Sequence, residues 1–460
     1  MYNQINSLSR DERQDLGVTK AIKTATETGV ICATLNWATG VGKTHGAIKV
    51  INRVEAKQGD FKRTVVVPTS NLVKQWYKRV DNNPSYEVIT IQGLLSRNEQ
   101  IETHFLVIDE IHKFAADEFS KIFKLIKYKH ILGLTATFKR LDGKHDLISL
   151  FCPVIDIITL EEARRNGWVA DFMEYCWGIE FNKEDKETYR ILNERVEELM
   201  PYFNGDWNVV IGCCSKKDRN INGKYYRGSN SFIEDNPKIE LFIYENEVER
   251  RLIDKSEKVE ALTQKANVCR TTIMQRKEYT DKALCKIDAA LEIINTFNMK
   301  TVTFGTSTEV ADKITDRLGS IARSYHTKID SRVMTVPNKK GKMVSRKVGK
   351  DKILEYDLED FENDVFRVLN TAKKADLGLD IKGLRLGINI ARTSDPGVND
   401  QKKGRLVRDE MITVDDELVI KEAIFIQLYV KGTKEESTLK YMLKDSQRVR
   451  WIQSLDEIKI

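Results

Sequence analysis

Short apolar runs alternate with charged, helix-like stretches along the chain. In residues 1–150 the apolar runs are Gly29–Leu35, Thr64–Val67, Glu87–Ile91, Phe105–Ile108 and His130–Leu134. A second series begins near Thr301 and continues through Ile321–Tyr325, Phe366–Asn370, Leu386–Ile390 and Ile424–Val430. Strands that alternate with helices form parallel sheets wrapped by helices. The pattern therefore predicts an α/β fold with two parallel-sheet domains in tandem.

Between the two series, at about residues 183–286, the pattern changes. The stretch KEDKETYRILNERVEELM has the spacing of an amphipathic helix. A polar segment rich in glycine, asparagine and serine follows at Lys216–Asn236, and a charged helical stretch begins at about Glu245. We interpret this region as a largely helical accessory insertion. The sequence thus predicts a first domain at residues 1–165 and a second domain at residues 166–460 that contains the insertion.

Composition narrows the class of protein only a little. The chain has 460 residues, 31% of them charged, and a net charge of +6, which permits nucleic-acid binding without requiring it. None of the seven cysteines stands in a C-x-x-C spacing, a pattern that disfavours zinc sites and is typical of free thiols in a reducing compartment. Long apolar runs and an apolar N-terminal signal segment are missing from the sequence. We therefore expect a cytoplasmic protein without membrane spans.

The segment ATLNWATGVGKTHGA has the pattern of a phosphate-binding loop between an apolar strand and a helix. Glycines let backbone N–H groups curl around phosphate oxygens, and a helix N-terminus favours negative charge. The residues expected to cradle the phosphates of ATP are Thr39, Gly40, Val41 and Gly42. Lys43 should reach the β- and γ-phosphates, and Thr44 should offer its hydroxyl to Mg²⁺. The usual pattern begins with glycine, where this chain has Trp37.

A second apolar strand, HFLVIDEIHKF, ends in two adjacent carboxylates. ATP hydrolysis needs one carboxylate on the metal and another that orients and deprotonates the attacking water. Neighbouring side chains at a strand end point in different directions. Asp109 therefore suits the metal role, and Glu110 suits the role of general base.

The ordered segments GVGKT, DEIH and LTATFKRLDG resemble those of superfamily 2 helicases of the DExH type. The resemblance is nearest to phage recombination and branch-migration helicases, excision-repair helicases and type I restriction motors. It implies two RecA-like domains that bind ATP and Mg²⁺ in the cleft between them and act on nucleic acid. If the chain is phage-encoded, its compartment is the host cytoplasm.

The resemblance also implies roles for residues outside the phosphate loop and the DEIH segment. It implies that Gln14 reads adenine and that Gly378 and Asp380 lie near the ribose. It implies that the residues coupling nucleotide state to the grip on nucleic acid are His112, Thr135 and Thr137. The implied nucleic-acid contacts are Thr69, Gln75, Gln92, Gly93, Gly305, Thr306, Ser307 and Thr371.

The segment QKKGRLVR fits the QxxGRxxR pattern of the same family. The guanidinium group has a fixed charge and a planar fork that suit charge developing on the γ-phosphate. The resemblance thus implies that Gln401, Arg405 and Arg408 take part in catalysis, and arginine chemistry makes Arg405 and Arg408 the candidate fingers. A basic run of this kind is by itself typical of a solvated face. Its place in a second α/β unit that lacks a phosphate loop favours the finger.

These motifs predict an ATP-dependent helicase or translocase. DNA is favoured, with forked or branched substrates possible, in phage-type replication, recombination or repair. An RNA helicase or remodelling ATPase is an alternative because the motor motifs barely separate DNA from RNA. Two further hypotheses are the motor subunit of a restriction or DNA-packaging assembly and a nucleotide-dependent clamp that does not move. The Gln401–Arg408 segment argues against a packaging motor.

The stretch Ser331–Lys350 has the alternation of a β-hairpin around a PNKKG turn. Seven lysines and arginines and no acidic residue lie between Arg332 and Lys350. A basic hairpin can contact phosphates or separate strands at a junction. A solvated surface hairpin is the alternative interpretation.

Overall fold

The computed structural model describes most of the chain. The described residues are 8–97, 99–113, 122–136, 149, 151–170, 172–214, 219–221, 224–236, 239, 255–337, 343–372, 381, 383–391, 399, 402–404, 406, 411–414, 417–420, 423–444, 446 and 448–459. The chain divides into two compact units. The first comprises Met1–Gly178, Ala289–Tyr429 and Lys434–Ile460, and the second comprises Ile179–Asp288 and Val430–Thr433.

The first unit contains a six-stranded sheet in the order β3-β2-β5-β7-β1-β8, and every neighbouring pair in it is parallel. Its strands are β1 (Cys32–Trp37), β2 (Arg63–Val67), β3 (Tyr86–Thr90), β5 (Phe105–Asp109), β7 (His130–Thr135) and β8 (Val154–Ile158). Two short strands, β4 (Ile101–Glu102) and β6 (Ile126–Lys127), pair separately. The associated helices are α1 (Arg10–Thr28), α2 (Lys43–Gln58), α3 (Ser70–Arg79), α4 (Ile91–Arg97) and α5 (Leu160–Arg165).

Apolar side chains cover both faces of this sheet. Along β2, Val65 and Val67 belong to one buried cluster, whereas Val66 belongs to another. Successive side chains of a strand point to opposite faces, so a strand buried on both faces carries an unbroken apolar run. This arrangement explains why VVV and FLVI appear in the sequence without polar alternation.

A seven-stranded sheet lies in the same unit, in the order β13-β16-β12-β17-β20-β9-β21. Its strands are β9 (Phe172–Ile179), β12 (Thr301–Gly305), β13 (Ala322–Tyr325), β16 (Val368–Ala372), β17 (Leu386–Asn389), β20 (Ala423–Val430) and β21 (Val449–Ile452). The associated helices are α10 (Leu284–Phe297), α11 (Thr308–Leu318), α12 (Lys350–Glu362) and α13 (Lys434–Leu443). The two parallel sheets confirm the predicted α/β fold class.

Each predicted apolar run overlaps a strand, although the ends differ by a few residues. The run Gly29–Leu35, for example, becomes a strand from Cys32 to Trp37. Strands β8, β9 and β21 were not among the predicted runs. The boundary predicted at residues 165/166 falls between β8 of the first sheet and β9 of the second. The division into two domains at that point stays a prediction.

The second unit consists mainly of helices. They are α6 (Lys183–Leu199), α7 (Trp207–Cys213), α8 (Gly228–Asp235) and α9 (Lys255–Asp281), with a small antiparallel pair of β10 (Arg219–Ile221) and β11 (Lys224–Tyr226). Buried side chains from α6 to α9 form its own core, which includes Phe203, Phe232 and Leu262. Helix α6 corresponds to the predicted amphipathic helix. The charged helix predicted from about Glu245 is described only from Lys255 onward.

Two antiparallel hairpins follow later in the chain. Strands β14 (Arg332–Pro337) and β15 (Met343–Val348) pair where the sequence predicts a basic hairpin, and residues 338–342 at its turn lie outside the described residues. Strands β18 (Met411–Val414) and β19 (Glu417–Ile420) form a hairpin that the sequence pattern did not predict. Among the described residues, no helix is both long and apolar enough to cross a membrane. The cytoplasmic location stays a prediction.

Candidate functional site

The phosphate-binding loop connects the end of β1 to the start of α2. Gly40 and Gly42 have φ angles of 90° and 96°, in the left-handed region that favours glycine. Gly42 is the N-cap of α2, and Lys43 is the first residue of this helix. The N-terminal N–H groups of α2 and the positive end of its dipole therefore lie at the loop, as binding of an anion requires.

The DEIH segment meets this loop at the carboxyl ends of the parallel strands. Asp109 ends β5, and β7 separates β5 from β1 in the sheet. The Nζ atom of Lys43 lies 3.9 Å from Oε1 of Glu110, and both side chains are largely buried. The structure thus brings together the lysine expected to bind phosphate and the carboxylate expected to act as base.

Asp109 is a buried carboxylate with two N–H donors. Its Oδ2 accepts a hydrogen bond of 2.8 Å from Nε1 of Trp76, and its Oδ1 accepts one of 3.0 Å from the backbone N of Glu110. Burial raises the pKa of Asp109 to about 6, and the negative charge of Glu110 acts in the same direction. The adjacent carboxylates therefore carry negative charge that a cation would neutralise. The sequence analysis did not identify Trp76, because it lies on α3, 33 residues before Asp109 in the sequence.

The donor chemistry here fits Mg²⁺. This ion prefers oxygen ligands, and in nucleotide sites it is usually held by one or two side chains together with phosphate oxygens and water. Thr44 carries a hydroxyl and Asp109 carries a buried carboxylate, which are oxygen ligands of this kind. The assignment of these two residues to the metal stays a proposal.

Glu110 adopts an uncommon backbone conformation. Its φ of 52° lies in the left-handed region, which costs a residue with a side chain about 1–3 kcal/mol. The turn presents its side chain to Lys43 and to His112, whose Nδ1 lies 3.4 Å from Oε2 of Glu110. The same Nδ1 lies 2.8 Å from Oγ1 of Thr135, at the end of β7. Two predicted coupling residues therefore contact each other beside the predicted base. Thr137 lies outside the described residues.

Gln14 of α1 is buried against the phosphate loop. Its Nε2 donates a hydrogen bond of 2.6 Å to the carbonyl oxygen of Val41. A Cβ at position 42 would lie 2.7 Å from the same Nε2, so glycine is needed there for close packing as well as for backbone conformation. Gln14 thus contacts the loop directly, and its role in reading adenine stays a prediction.

Trp37 fills the position where the loop pattern has glycine. Its indole is fully buried and lies beside two glycines: a Cβ at Gly17 or Gly46 would approach ring atoms to 2.5 or 2.4 Å. Its Nε1 donates to Oδ2 of Asp156 at 2.8 Å. Asp156 also pairs with Arg13 at 2.8 Å and with Lys20 at 2.6 Å. The substitution is therefore accommodated by a buried cluster that joins α1, α2 and β8.

In the first sheet, the predicted nucleic-acid residues follow the carboxyl ends of β2 and β3. Thr69 is the N-cap of α3, and its Oγ1 is buried with no hydrogen-bond partner among the described residues; Gln75 lies on the same helix. Gln92 and Gly93 lie in the first turn of α4, and the N of Gly93 donates to Oγ1 of Thr90 at 3.0 Å. Their placement on one edge of the sheet is compatible with a shared contact surface, and each role stays a prediction.

The predicted residues of the second sheet lie in two neighbouring parallel strands and in the turn that follows one of them. Gly305 ends β12, and Thr306 and Ser307 lead into α11. Thr371 is buried in β16 and donates through Oγ1 to the carbonyl oxygen of Thr303 at 2.6 Å. A Cβ at Gly305 would lie 3.3 Å from the carbonyl oxygen of Thr371. The hydroxyl of Thr371 thus links β16 to β12 by a hydrogen bond in this structure. Its contact with nucleic acid stays a prediction.

The candidate fingers and the ribose residues lie outside the described residues: Gln401, Arg405, Arg408, Gly378 and Asp380. The residue before Arg405 is described, however. A Cβ at Gly404 would lie 2.4 Å from the Cβ of Thr39 in the phosphate loop. Gly404, the residue before Arg405 in the sequence, therefore packs directly against the phosphate loop.

The chain is similar to known proteins in sequence and in structure. The family model for the type III restriction enzyme res subunit matches residues 14–102 and 81–140. The DNA 3'-5' translocase XPB2 of Sulfurisphaera tokodaii is 22% identical over 419 residues, covering 86% of this chain and 77% of that protein. Among solved structures, the Pyrococcus furiosus Hef helicase domain has a TM-score of 0.48 and 17% identity, covering 93% of this chain and 99% of that one.

Proposed function

We infer that this chain, a superfamily 2 helicase, is an ATP hydrolase that couples hydrolysis to translocation along DNA or to its unwinding. The observation that carries this inference is the meeting of Lys43 and Glu110 at the carboxyl ends of parallel strands. DNA as the track is supported by the similarity to a protein named as a DNA 3'-5' translocase. We extend the proposal to a 3'-5' direction of movement on the same ground.

In the proposed mechanism the phosphate loop and Lys43 bind the phosphates of ATP, and Glu110 orients and deprotonates the attacking water. Thr44 and Asp109 would hold Mg²⁺, which would neutralise negative charge on the phosphates. Arg405 and Arg408 would stabilise the charge that develops on the γ-phosphate. The contact between Gly404 and Thr39 supports their approach to the loop.

Movement would follow from a nucleotide-dependent change of grip. The proposed contacts in the first sheet follow β2 and β3, and those in the second lie at the end of β12, directly after it and in β16. If ATP favours one arrangement of these surfaces and its products favour another, each cycle shifts the populations of the two grips. His112 and Thr135 are suited to report the state of Glu110 because they form a chain of contacts with it.

We expect ATP hydrolysis to be stimulated by DNA and to be lost in Lys43→Ala. Lys43 lies at the loop, and removing its ammonium group takes away a charge that phosphate requires. Rates should be measured without nucleic acid and with single-stranded DNA, duplex DNA, a four-way junction and RNA. Lys57→Ala, in the last turn of the same helix, is the matched control and should keep the wild-type rates.

The same assay separates the competing functions. Greatest stimulation by the junction supports action on branched DNA in replication, recombination or repair. Stimulation by RNA alone would move the assignment to an RNA remodelling ATPase. The family match to a restriction subunit keeps a larger restriction assembly as a further candidate, which directional translocation without strand separation would favour. Hydrolysis that none of the nucleic acids stimulates would exclude the motor itself.

The β14–β15 hairpin is our candidate for contact with duplex DNA. Met334 and Val348 of one face pack against Ile353 and Tyr356 of α12. On the other face the side chain of Val333 is 69% exposed. The hairpin is thus anchored at its base and presents a solvent-facing surface. Its excess of basic residues complements a phosphate backbone.

Deleting residues 338–341 of this hairpin should reduce unwinding of forked DNA while ATPase stimulation by single-stranded DNA persists. Arg346→Glu with Lys347→Glu should weaken duplex binding and reduce the slope of log affinity against log salt by about 0.9 for each phosphate that is no longer neutralised. Neutralising Asp415 and Asp416 between β18 and β19 is the control. Wild-type unwinding after the deletion would contradict a strand-separating role.

A further inference from the structure

The two lysines of the QKKGR segment are buried. The exposed fraction is 4% for Lys402 and 8% for Lys403, whereas a basic run of this kind is usually a solvated face. A buried ammonium group requires partners because desolvation of a charge is costly. The partners here come from three neighbouring strands of the seven-stranded sheet.

Lys403 pairs with a carboxylate that is equally buried. Its Nζ lies 2.7 Å from Oε2 of Glu174, and Glu174 of β9 is 2% exposed. The other carboxylate oxygen, Oε1, accepts a hydrogen bond from Nε2 of Gln427 in β20. Both oxygens of Glu174 are therefore used, and each is bound by a different element.

The hydrogen bonds continue from Gln427 back to the same segment. Oε1 of Gln427 accepts from Nδ2 of Asn389 at 3.0 Å, and Oδ1 of Asn389 accepts from Nζ of Lys402 at 2.9 Å. Asn389 and Gln427 are paired in register on β17 and β20. The path from Lys403 through Glu174, Gln427 and Asn389 thus ends on Lys402. We call these five residues the buried ring.

The buried ring fixes the segment that precedes the candidate finger. Lys402 and Lys403 are followed by Gly404, which packs against Thr39 of the phosphate loop, and then by Arg405. Donor and acceptor atoms of both amides have defined partners, so a rotation of either side chain would break two contacts at once. A satisfied buried polar network of this kind is rigid and specifies a single arrangement.

We propose that Glu174 is a positioning residue for ATP hydrolysis, which through the buried ring holds the segment carrying Arg405 against the phosphate loop. This proposal rests on the proposed function, in which Arg405 stabilises the transition state. Lys402 and Lys403 accordingly serve to hold this segment in place.

The first test is Glu174→Gln, measured as DNA-stimulated ATP hydrolysis. The substitution keeps the shape of the side chain and removes the charge that binds Lys403. We expect kcat to fall about 10²-fold, as a displacement of about 1 Å can cost, with the affinity for ATP within about twofold of wild type. Binding of ATP should persist because the loop and Lys43 supply the ground-state contacts.

Asp357→Asn is the matched control for stability. Asp357 is a buried carboxylate of α12 that pairs with Arg332 and Arg323, away from the QKKGR segment. Both variants should lower the melting temperature, whereas only Glu174→Gln should lower kcat at a temperature where both are folded. If Glu174→Gln does not fold, Gln427→Met breaks the same ring without stranding a charge, and kcat should fall about tenfold. Equal kcat values in the ring variants and Asp357→Asn would overturn the proposal.

A double variant, Glu174→Gln with Arg405→Ala, distinguishes a failure of the positioning role of Glu174 from a failure of the proposed function. If Glu174 acts through Arg405, adding Glu174→Gln to Arg405→Ala should lower kcat no further. Multiplication of the two effects would overturn the positioning role while leaving the finger in place. A wild-type kcat in Arg405→Ala alone would instead refute the finger, and the proposal for Glu174 would fail with it.

Discussion

Replacing Glu110 by glutamine should nearly abolish ATP turnover while leaving ATP binding intact. The carboxylate lies 3.9 Å from the ammonium group of Lys43, the residue that we propose binds the γ-phosphate. Glutamine keeps the shape of the side chain and cannot accept the proton of that water. General-base catalysis contributes about 10²- to 10⁴-fold, and kcat should fall by that factor. Steady-state hydrolysis and binding of a non-hydrolysable ATP analogue measure the two effects separately.

The backbone at Glu110 sharpens this expectation. Its φ of 52° is an uncommon conformation that persists where the surrounding structure holds it, and such residues cluster at functional sites. Glu102→Gln, on an exposed carboxylate of the same domain, is the control and should keep wild-type turnover. Residual hydrolysis within about tenfold of wild type in Glu110→Gln would assign the base to another group.

Residues whose burial is set by the local pattern could be predicted from the sequence. The runs around Val65–Val67 and Phe105–Ile108 became strands because a parallel strand covered on both faces must be apolar throughout. Strand β8 escaped prediction because Asp156 interrupts its apolar run. That aspartate is buried only because Trp37, Arg13 and Lys20 supply its partners.

In the candidate site, too, some residues could be predicted from the sequence and others could not. Lys43, Asp109 and Glu110 could be proposed from the sequence because phosphate and water chemistry requires those side chains at the end of a strand or the start of a helix. The residues that hydrogen-bond or pair with the site residues and their neighbours could not be predicted. Trp76 reaches Asp109 from α3, and Glu174 reaches Lys403 from β9. These partners are distant in sequence, and no local periodicity encodes a hydrogen bond between two separate elements.

Because Trp37 belongs to a buried cluster, the usual phosphate-loop pattern does not predict the effect of replacing it. Changing Trp37 to glycine would restore the usual phosphate-loop pattern, yet we expect it to lower the free energy of unfolding by about 4 kcal/mol. Removal of a fully buried tryptophan leaves a cavity, and such truncations cost about 3–5 kcal/mol. Asp156 also loses the indole donor at 2.8 Å. Urea denaturation of the variant and the wild type measures this loss of stability. The KM for ATP should also be compared with wild type, because the buried cluster holds both α1 and the phosphate loop in position.

Two further substitutions, Trp37→Phe and Gly46→Ala, test whether the indole itself is responsible for the effect. Phenylalanine keeps most of the ring volume and loses the N–H donor, so its cost should be about 1 kcal/mol. Gly46→Ala should be destabilising in the wild type because its Cβ would approach the indole to 2.4 Å. In the Trp37→Gly background the same alanine should be tolerated or stabilising, since it enters the cavity. A Trp37→Gly protein as stable as wild type would show that the loop does not depend on this cluster. Independent effects of the two substitutions would show that the indole does not set the requirement for glycine at position 46.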